Sequence, residues 1–228
     1  ERLSNETGIL RAHSIPELLA FEPDVLILGC KPQQLAEISS VFSDKKVESI
    51  ILSIMAGITL GRLSDSFPDA QNVIRSMPNT PGQIGEGITG FVFLNSPNQS
   101  EHRLVTNILS SLGESFELKS EEDIDRITAI SGSGPAYLFE FTCALECAAK
   151  EIGLPEKLAN KFALQTVTGA SKLLAVSGLH PEELRDQVTS PKGTTQAALE
   201  SLEKNNLRKI VQDAVEAAKA RSIELSNA

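Results

Sequence analysis

Ser190, Gly193, Thr194 and Thr195 fall within one short break between two helical patterns, in the stretch 181–202, PEELRDQVTSPKGTTQAALESL. Pro191 stops the first helix and Gly193 allows close backbone approach, so the second helix is expected to begin near Thr194 or Thr195. The first N–H groups of that helix have no acceptor inside it. With the positive end of the helix dipole and the hydroxyls of Ser190, Thr194 and Thr195, they make a holder for a small anion such as a carboxylate. The same residues also spell an ordinary capped helix start, and the pattern alone leaves both readings open.

The elements that would serve such a site lie in the first half of the chain. Residues 25–30, VLILGC, form a continuous apolar run of strand length, as expected of a strand buried on both faces of a parallel sheet. Further strands are expected at 50–54, 72–76, 89–94 and 115–118, with helices at 32–42, 59–66 and 99–112, and a short helix opened by Ser14-Ile15-Pro16-Glu17. This alternation predicts a doubly wound, Rossmann-like α/β layer. Ligands in such layers lie beyond the carboxyl ends of the strands. Those ends are Gly29-Cys30-Lys31-Pro32, Ile54-Met55-Ala56-Gly57 and Ser76-Met77-Pro78-Asn79, small, rigid or amide residues against which a flat cofactor can lie. Tight strand-to-helix turns would need many of the same residues.

A phosphate-cradling G-x-G-x-x-G after a strand is not found. Gly82, Gly85 and Gly87 precede a strand rather than a helix, and read as a connector. Glu1-Arg2-Leu3 reads like the middle of a run rather than a beginning.

After residue 119 strand signals cease. An acidic hinge at 121–125, EEDID, marks the expected boundary between a sheet domain, 1–119, and an all-helical domain, 120–228. Ser131-Gly132-Ser133-Gly134-Pro135 is expected to break the helical pattern, with long helices at 136–152, 156–177 and 207–225. Phe139, Leu145, Ala148 and Ile152 on one, with Phe162, Leu164, Val167 and Leu174 on the next, leave more apolar surface than a few helices cover alone, which points to a partner subunit.

The chain has 228 residues, 41% hydrophobic and 22% charged, in the range of globular proteins. Its 21 basic and 30 acidic residues give a net charge of −9, which argues against nucleic acid or an anionic membrane as partner. No apolar run reaches the roughly 18 residues that span a bilayer. Cys30, Cys143 and Cys147 are expected to be buried thiols in a reducing cytoplasm. His13, His102 and His180 are scattered, so no metal site is expected.

The stretch 181–202 resembles the signature of the pyrroline-5-carboxylate reductase family. So do, in the family's order, Lys31-Pro32-Gln33, Met55-Ala56-Gly57, Met77-Pro78-Asn79-Thr80-Pro81 and Ser131-Gly132-Ser133-Gly134-Pro135-Ala136-Tyr137. The resemblance runs from about Asp24 to Leu225, and it implies that a first βα unit lies upstream of Glu1. It implies reduction of 1-pyrroline-5-carboxylate to L-proline by NADPH or NADH, in a homodimer with interlocked helical domains that can assemble into a larger ring. Ser190, Gly193, Thr194 and Thr195 would bind the substrate, with Thr195 hydrogen-bonded to the ring nitrogen. Gly29, Cys30, Lys31, Pro32, Met55, Ala56, Gly57, Asn79, Gln187 and Val188 would bind the cofactor, and Glu121 would lie near the cleft. The family usually has glycine where this chain has Lys192. Two other readings remain: a different NAD(P)-dependent reductase, for which Lys150 lies too near the end of its helix, and a non-catalytic dimerising scaffold without its phosphate loop.

Overall fold

The computed structural model describes residues 7–42 and 46–227; Glu1-Arg2-Leu3 lies outside the described residues. Two compact units divide the chain, one made of residues up to Gly132 with Ala218 onward, the other of Ser133–Ala217.

In the first unit β1 (Val25–Leu28), β2 (Ile50–Ser53), β3 (Asn72–Met77), β4 (Gly87–Phe93) and β5 (Gly113–Glu117) form one sheet in chain order. Its helices are α1 (Ile15–Leu19), α2 (Leu35–Phe42), α3 (Leu60–Ser66), α4 (Gln99–Ser110) and α5 (Glu122–Ile127). Neighbouring strands run parallel except β3 and β4, which are antiparallel, with Arg75 opposite Val92. The reason is the connection: residues 78–86 hold only a 3-10 turn, Thr80–Ile84, ended by Gly85 in the left-handed region, and no crossover helix. The glycines there form a connector, as their context predicts.

The alternation of side chains splits the core into two layers. Ile51, Val73 and Val92 pack with Leu35, Leu63 and Ile124 on one face; Ile50, Leu52, Ile74 and Phe91 pack with Val105 and Leu109 of α4 on the other. β2 is buried on both faces, as expected. β1 is not. Leu26 and Leu28 are buried but Ile27 is exposed, because β1 is an edge strand and Ile27 lies on the face where α4 packs, outside that cluster.

The most deeply buried charged side chain among the described residues penetrates this core. Arg75 of β3 is only 2% exposed. Its Nη1 donates to Glu121 Oε1 at 2.9 Å, and its Nη2 to Asp125 Oδ1 and Ser226 Oγ, both at 3.2 Å. Residues 121 and 125 are four apart at the start of α5, which puts both carboxylates on one face. Glu121 Oε1 also accepts the Leu60 N–H at 2.7 Å, so the same oxygen caps the first turn of α3. The acidic hinge is therefore divided: Glu121 and Asp125 turn inward to Arg75, while Glu122 and Asp123 pair with Arg126 at the surface.

The second unit contains α6 (Gly134–Glu151), α7 (Glu156–Ser177), α8 (Pro181–Gln187), α9 (Thr194–Lys204) and the first part of α10 (Leu207–Ser226). α6 and α7 pack together, with Ala159 and Ala163 buried one turn apart, and Asn160 Nδ2 donates to Glu146 Oε2 at 2.9 Å across the pair. Arg208 Nη2 of α10 reaches Glu182 Oε1 of α8 at 2.7 Å. Phe139, Phe162, Leu164 and Val176 remain exposed, as the surplus of apolar residues predicts. Cys143 and Cys147, expected to be buried, are exposed in the single chain, because α6 buries none of its side chains by itself. No helix among the described residues is long and apolar enough to cross a membrane.

The helical pattern is interrupted within Ser131–Pro135, as expected, but only at one residue: Thr128–Gly132 widens into a π-helical turn, Ser133 is a bend, and α6 starts at Gly134. Pro135 has no N–H to give to the Ser131 carbonyl four residues earlier. The Asn79 side chain supplies the missing donor, Nδ2 to Ser131 O at 3.1 Å.

Arg75→Met leaves the carboxylates of Glu121 and Asp125 without a counter-charge. The expected loss is about 3 kcal/mol of unfolding free energy in urea, and a loss below about 1 kcal/mol would show that the pair contributes little.

Candidate active site

The break before α9 is a tight turn. Gly193 N–H donates to the Ser190 carbonyl at 3.0 Å, closing a four-residue turn with Pro191 and Lys192 at its centre. Lys192 has φ 59°, the left-handed region, as foreseen if its position were one that favours glycine. A second device holds it there: Gln196 Oε1 accepts the Lys192 N–H at 2.7 Å, and Gln196 Nε2 donates to Glu200 Oε1 at 2.7 Å. Gly193 is extended, at φ −83° and ψ 173°, and a Cβ there would stand 2.3 Å from Ser190 Oγ and 3.0 Å from Ser190 O. The close approach, rather than the dihedral, requires glycine at 193.

The consequence for anion binding differs in one atom from the sequence expectation. The Gly193 N–H is used inside the turn, so the donors left are the N–H groups of Thr194, Thr195 and Gln196, which have no hydrogen-bond acceptor among the described residues. The hydroxyls of Ser190, Thr194 and Thr195 are likewise without partners among the described residues. Upstream, Thr189 Oγ1 donates to Arg185 O at 2.6 Å and closes the end of α8, leaving Gln187 and Val188 exposed. This turn can hold a carboxylate by two or three amides and a hydroxyl, beside the Lys192 ammonium.

In the sheet unit, the three strand ends present different surfaces. At β1, Gly29 is exposed and a Cβ there would meet only the Ile54 side chain, at 3.5 Å. Cys30 Sγ lies 3.4 Å from Met55 Sδ, Lys31 is exposed, and Pro32 opens the 3-10 turn before α2. At β2, Met55 faces the core and is 3% exposed, Gly57 is buried with φ 72°, and Ala56 between them is exposed. At β3, Asn79 has both ends of its amide engaged, Nδ2 on Ser131 O and Oδ1 receiving the Ile88 N–H at 2.9 Å. Open backbone at Gly29 and Ala56, rigid Pro32 and Pro78, and a cation at Lys31 fit a flat dinucleotide. Among the described residues no group of three or more His, Cys, Asp or Glu could hold a metal ion.

Lys150, the candidate base of a lysine-dependent dehydrogenase, is occupied. Its Nζ pairs with Glu146 Oε1 at 2.7 Å, and Glu156 Oε1 lies 3.6 Å away. The hydrogen bond to Glu146, and secondarily the nearby negative charges, raise its pKa above the usual lysine value, so it is held as the ammonium.

A family model described as pyrroline-5-carboxylate reductase dimerisation matches residues 121–225. The pyrroline-5-carboxylate reductase of Pseudomonas aeruginosa is 35% identical over 226 residues, covering 99% of this chain and 82% of that protein. This chain belongs to the pyrroline-5-carboxylate reductase family. The solved pyrroline-5-carboxylate reductase of Coxiella burnetii superposes with a TM-score of 0.85 at 32% identity, covering 98% of this chain and 83% of that one. That of Plasmodium falciparum, solved with NADP bound, gives 0.83 at 32% identity over 93% and 81%. The resemblance of the five sequence blocks and the Rossmann-like plus all-helical fold class are thus both borne out.

Three residues of this pyrroline-5-carboxylate reductase relative escaped the sequence reading. Gln196 clamps Lys192, Arg75 organises the sheet unit, and Ser222 of α10 donates to Asp125 Oδ1 at 2.7 Å. An arginine inside an apolar strand was a visible signal, since such a charge needs buried partners. Gln196 and Ser222 gave none.

Lys192→Gly removes the left-handed strain. The expected gain is about 0.5–1 kcal/mol in unfolding free energy, after subtracting glycine's extra freedom in the unfolded chain. A loss of stability would mean that the Lys192 side chain contributes more than its backbone costs.

Proposed function

We propose that this protein reduces 1-pyrroline-5-carboxylate to L-proline with NADPH or NADH, using the turn at 190–196 to hold the substrate carboxylate. The observation that carries the reading is that turn: a strained lysine and a required glycine place the partnerless amides of Thr194, Thr195 and Gln196 together at the start of an eleven-residue helix. Its chemistry is that of an anion holder, and family membership supplies a substrate that is both an anion and a cyclic imine.

In this scheme the amides of Thr194, Thr195 and Gln196 and the Ser190 hydroxyl receive the carboxylate, with Gly193 acting through the shape of the turn. Thr195 Oγ1 hydrogen-bonds the ring nitrogen and steadies its proton, so a substrate that arrives as the iminium needs no strong general acid. Gln187 and Val188 touch the nicotinamide ribose or carboxamide. Gly29, Cys30, Lys31, Pro32 and Ala56 offer the surface on which the dinucleotide lies, while Met55, Gly57 and Asn79 shape it from behind. The bound nicotinamide supplies the hydride. Transfer requires donor and acceptor carbons within about 3–3.5 Å and a site closed to water.

The dimerisation match and the exposed apolar side chains of α6 and α7 support a homodimer, and we extend the reading to dimers assembled into a larger ring. Three free thiols suit a reducing compartment such as the cytoplasm. Residues 1–119 would serve the nucleotide, and 120–228 dimerisation and substrate.

Thr195→Ala tests the mechanism. In the full-length protein assayed with 1-pyrroline-5-carboxylate and NADPH, kcat/KM is expected to fall about 10–100-fold, as for loss of one positioned donor. Unchanged turnover and affinity would remove Thr195 from the scheme. Light scattering is expected to show no species at the mass of one chain; a monomer would contradict the apolar-face argument.

A further inference from the structure

The last turn of α10 belongs to the sheet unit, although the helix begins in the helical one. Two hydroxyls fasten that turn. Ser222, 6% exposed, donates to Asp125 Oδ1 at 2.7 Å, and Ser226 accepts from Arg75 Nη2 at 3.2 Å. Between them Leu225 lies against Gly57: a Cβ on Gly57 would be 2.7 Å from Leu225 Cβ and 3.1 Å from the Leu225 carbonyl carbon and oxygen. Gly57 itself is left-handed at φ 72° and follows exposed Ala56 at the end of β2. The next turn of chain is held by the same polar cluster, because Glu121 Oε1 takes both Arg75 Nη1 and the Leu60 N–H.

We infer that residues 222–226 are a positioning element of the cofactor surface: Ser222 and Ser226, through Asp125 and Arg75, seat Leu225 on Gly57 and thereby fix the Met55-Ala56-Gly57 turn. The inference rests on the proposed role of that turn in the surface on which the dinucleotide lies. It assigns Ser222, Ser226 and Leu225 no contact with cofactor or substrate. Their action passes through the close approach of the Leu225 backbone and Cβ to Gly57, which leaves no room for the turn to shift toward the helix end. Gly57 admits Leu225 only because it lacks a Cβ, so the turn and the helix end fit as a pair.

The test is Ser222→Ala/Ser226→Ala in the full-length protein, with Ser226→Thr as the variant that keeps a hydroxyl. The readouts are the NADPH dissociation constant by nucleotide fluorescence, the melting temperature, and KM for each substrate. The double variant is expected to weaken NADPH binding about 5- to 10-fold and to raise KM for NADPH similarly. KM for 1-pyrroline-5-carboxylate should move less than twofold, and Ser226→Thr should bind NADPH as the parent does. A purely structural role lowers the melting temperature and the active fraction but leaves the dissociation constant of the folded molecules unchanged. That result would overturn the inference. So would weakened binding that Ser226→Thr shares fully. If the parent protein itself neither binds NADPH nor reduces 1-pyrroline-5-carboxylate, the proposed function fails instead.

Discussion

A buried guanidinium is the constraint around which the sheet unit is arranged. Arg75 sits on a central strand with almost no access to water, and a charge in that position is tolerated only with partners held in good geometry. Four separate segments meet there: β3 carries the arginine, α5 the two carboxylates, α3 its first N–H, and the end of α10 two serines. Among the described residues Arg75 Nε is the buried side-chain atom of the cluster that lacks a partner. Such an arrangement contributes less to net stability than well-packed apolar side chains of equal volume would, but it admits few alternatives in register or angle. Specific placement is what a hydride-transfer surface needs, because misplacement by a fraction of an ångström slows the reaction.

The anion-holding turn follows a different logic. Its energy is spent locally, on a lysine in a left-handed conformation, and the absence of a Cβ at Gly193 leaves room for Ser190 beside it. Such backbone strain persists where neighbours over-determine it. Here the Gly193–Ser190 hydrogen bond and the Gln196 side chain do so. The outcome is a row of three amides with no acceptor among the described residues, which a substrate carboxylate can satisfy.

Much of this architecture was legible in the residues, and the exceptions have physical causes. Periodicity located the five strands and the long helices, because burial on two faces or one stripe leaves a clear pattern in side-chain type. It misjudged β1, since an apolar edge strand reads like a central one; Ile27 is exposed through its neighbours, not its own chemistry. The break expected at Ser131–Pro135 falls at Ser133, but the π-helical turn at Thr128–Gly132 before it was not legible, because its free carbonyl at Ser131 is satisfied by Asn79, some fifty residues earlier. In the turn, spacing indicated which residues mattered, but not that the Gly193 amide is consumed internally. The acidic stretch 121–125 was read as a hinge, and its pairing with Arg75 was not legible because Glu121 and Asp125 find their cation on a distant strand. Long-range polar pairing was the recurrent blind spot.

The central claim is that the amides at the start of α9 receive the substrate's carboxylate. A crystal structure of the full-length protein with L-proline and oxidised nucleotide tests it most directly. The account predicts a proline carboxylate oxygen within about 3 Å of at least two of the Thr194, Thr195 and Gln196 nitrogens, with Lys192 still left-handed. Proline bound by its carboxylate elsewhere, with those amides facing solvent, would contradict it.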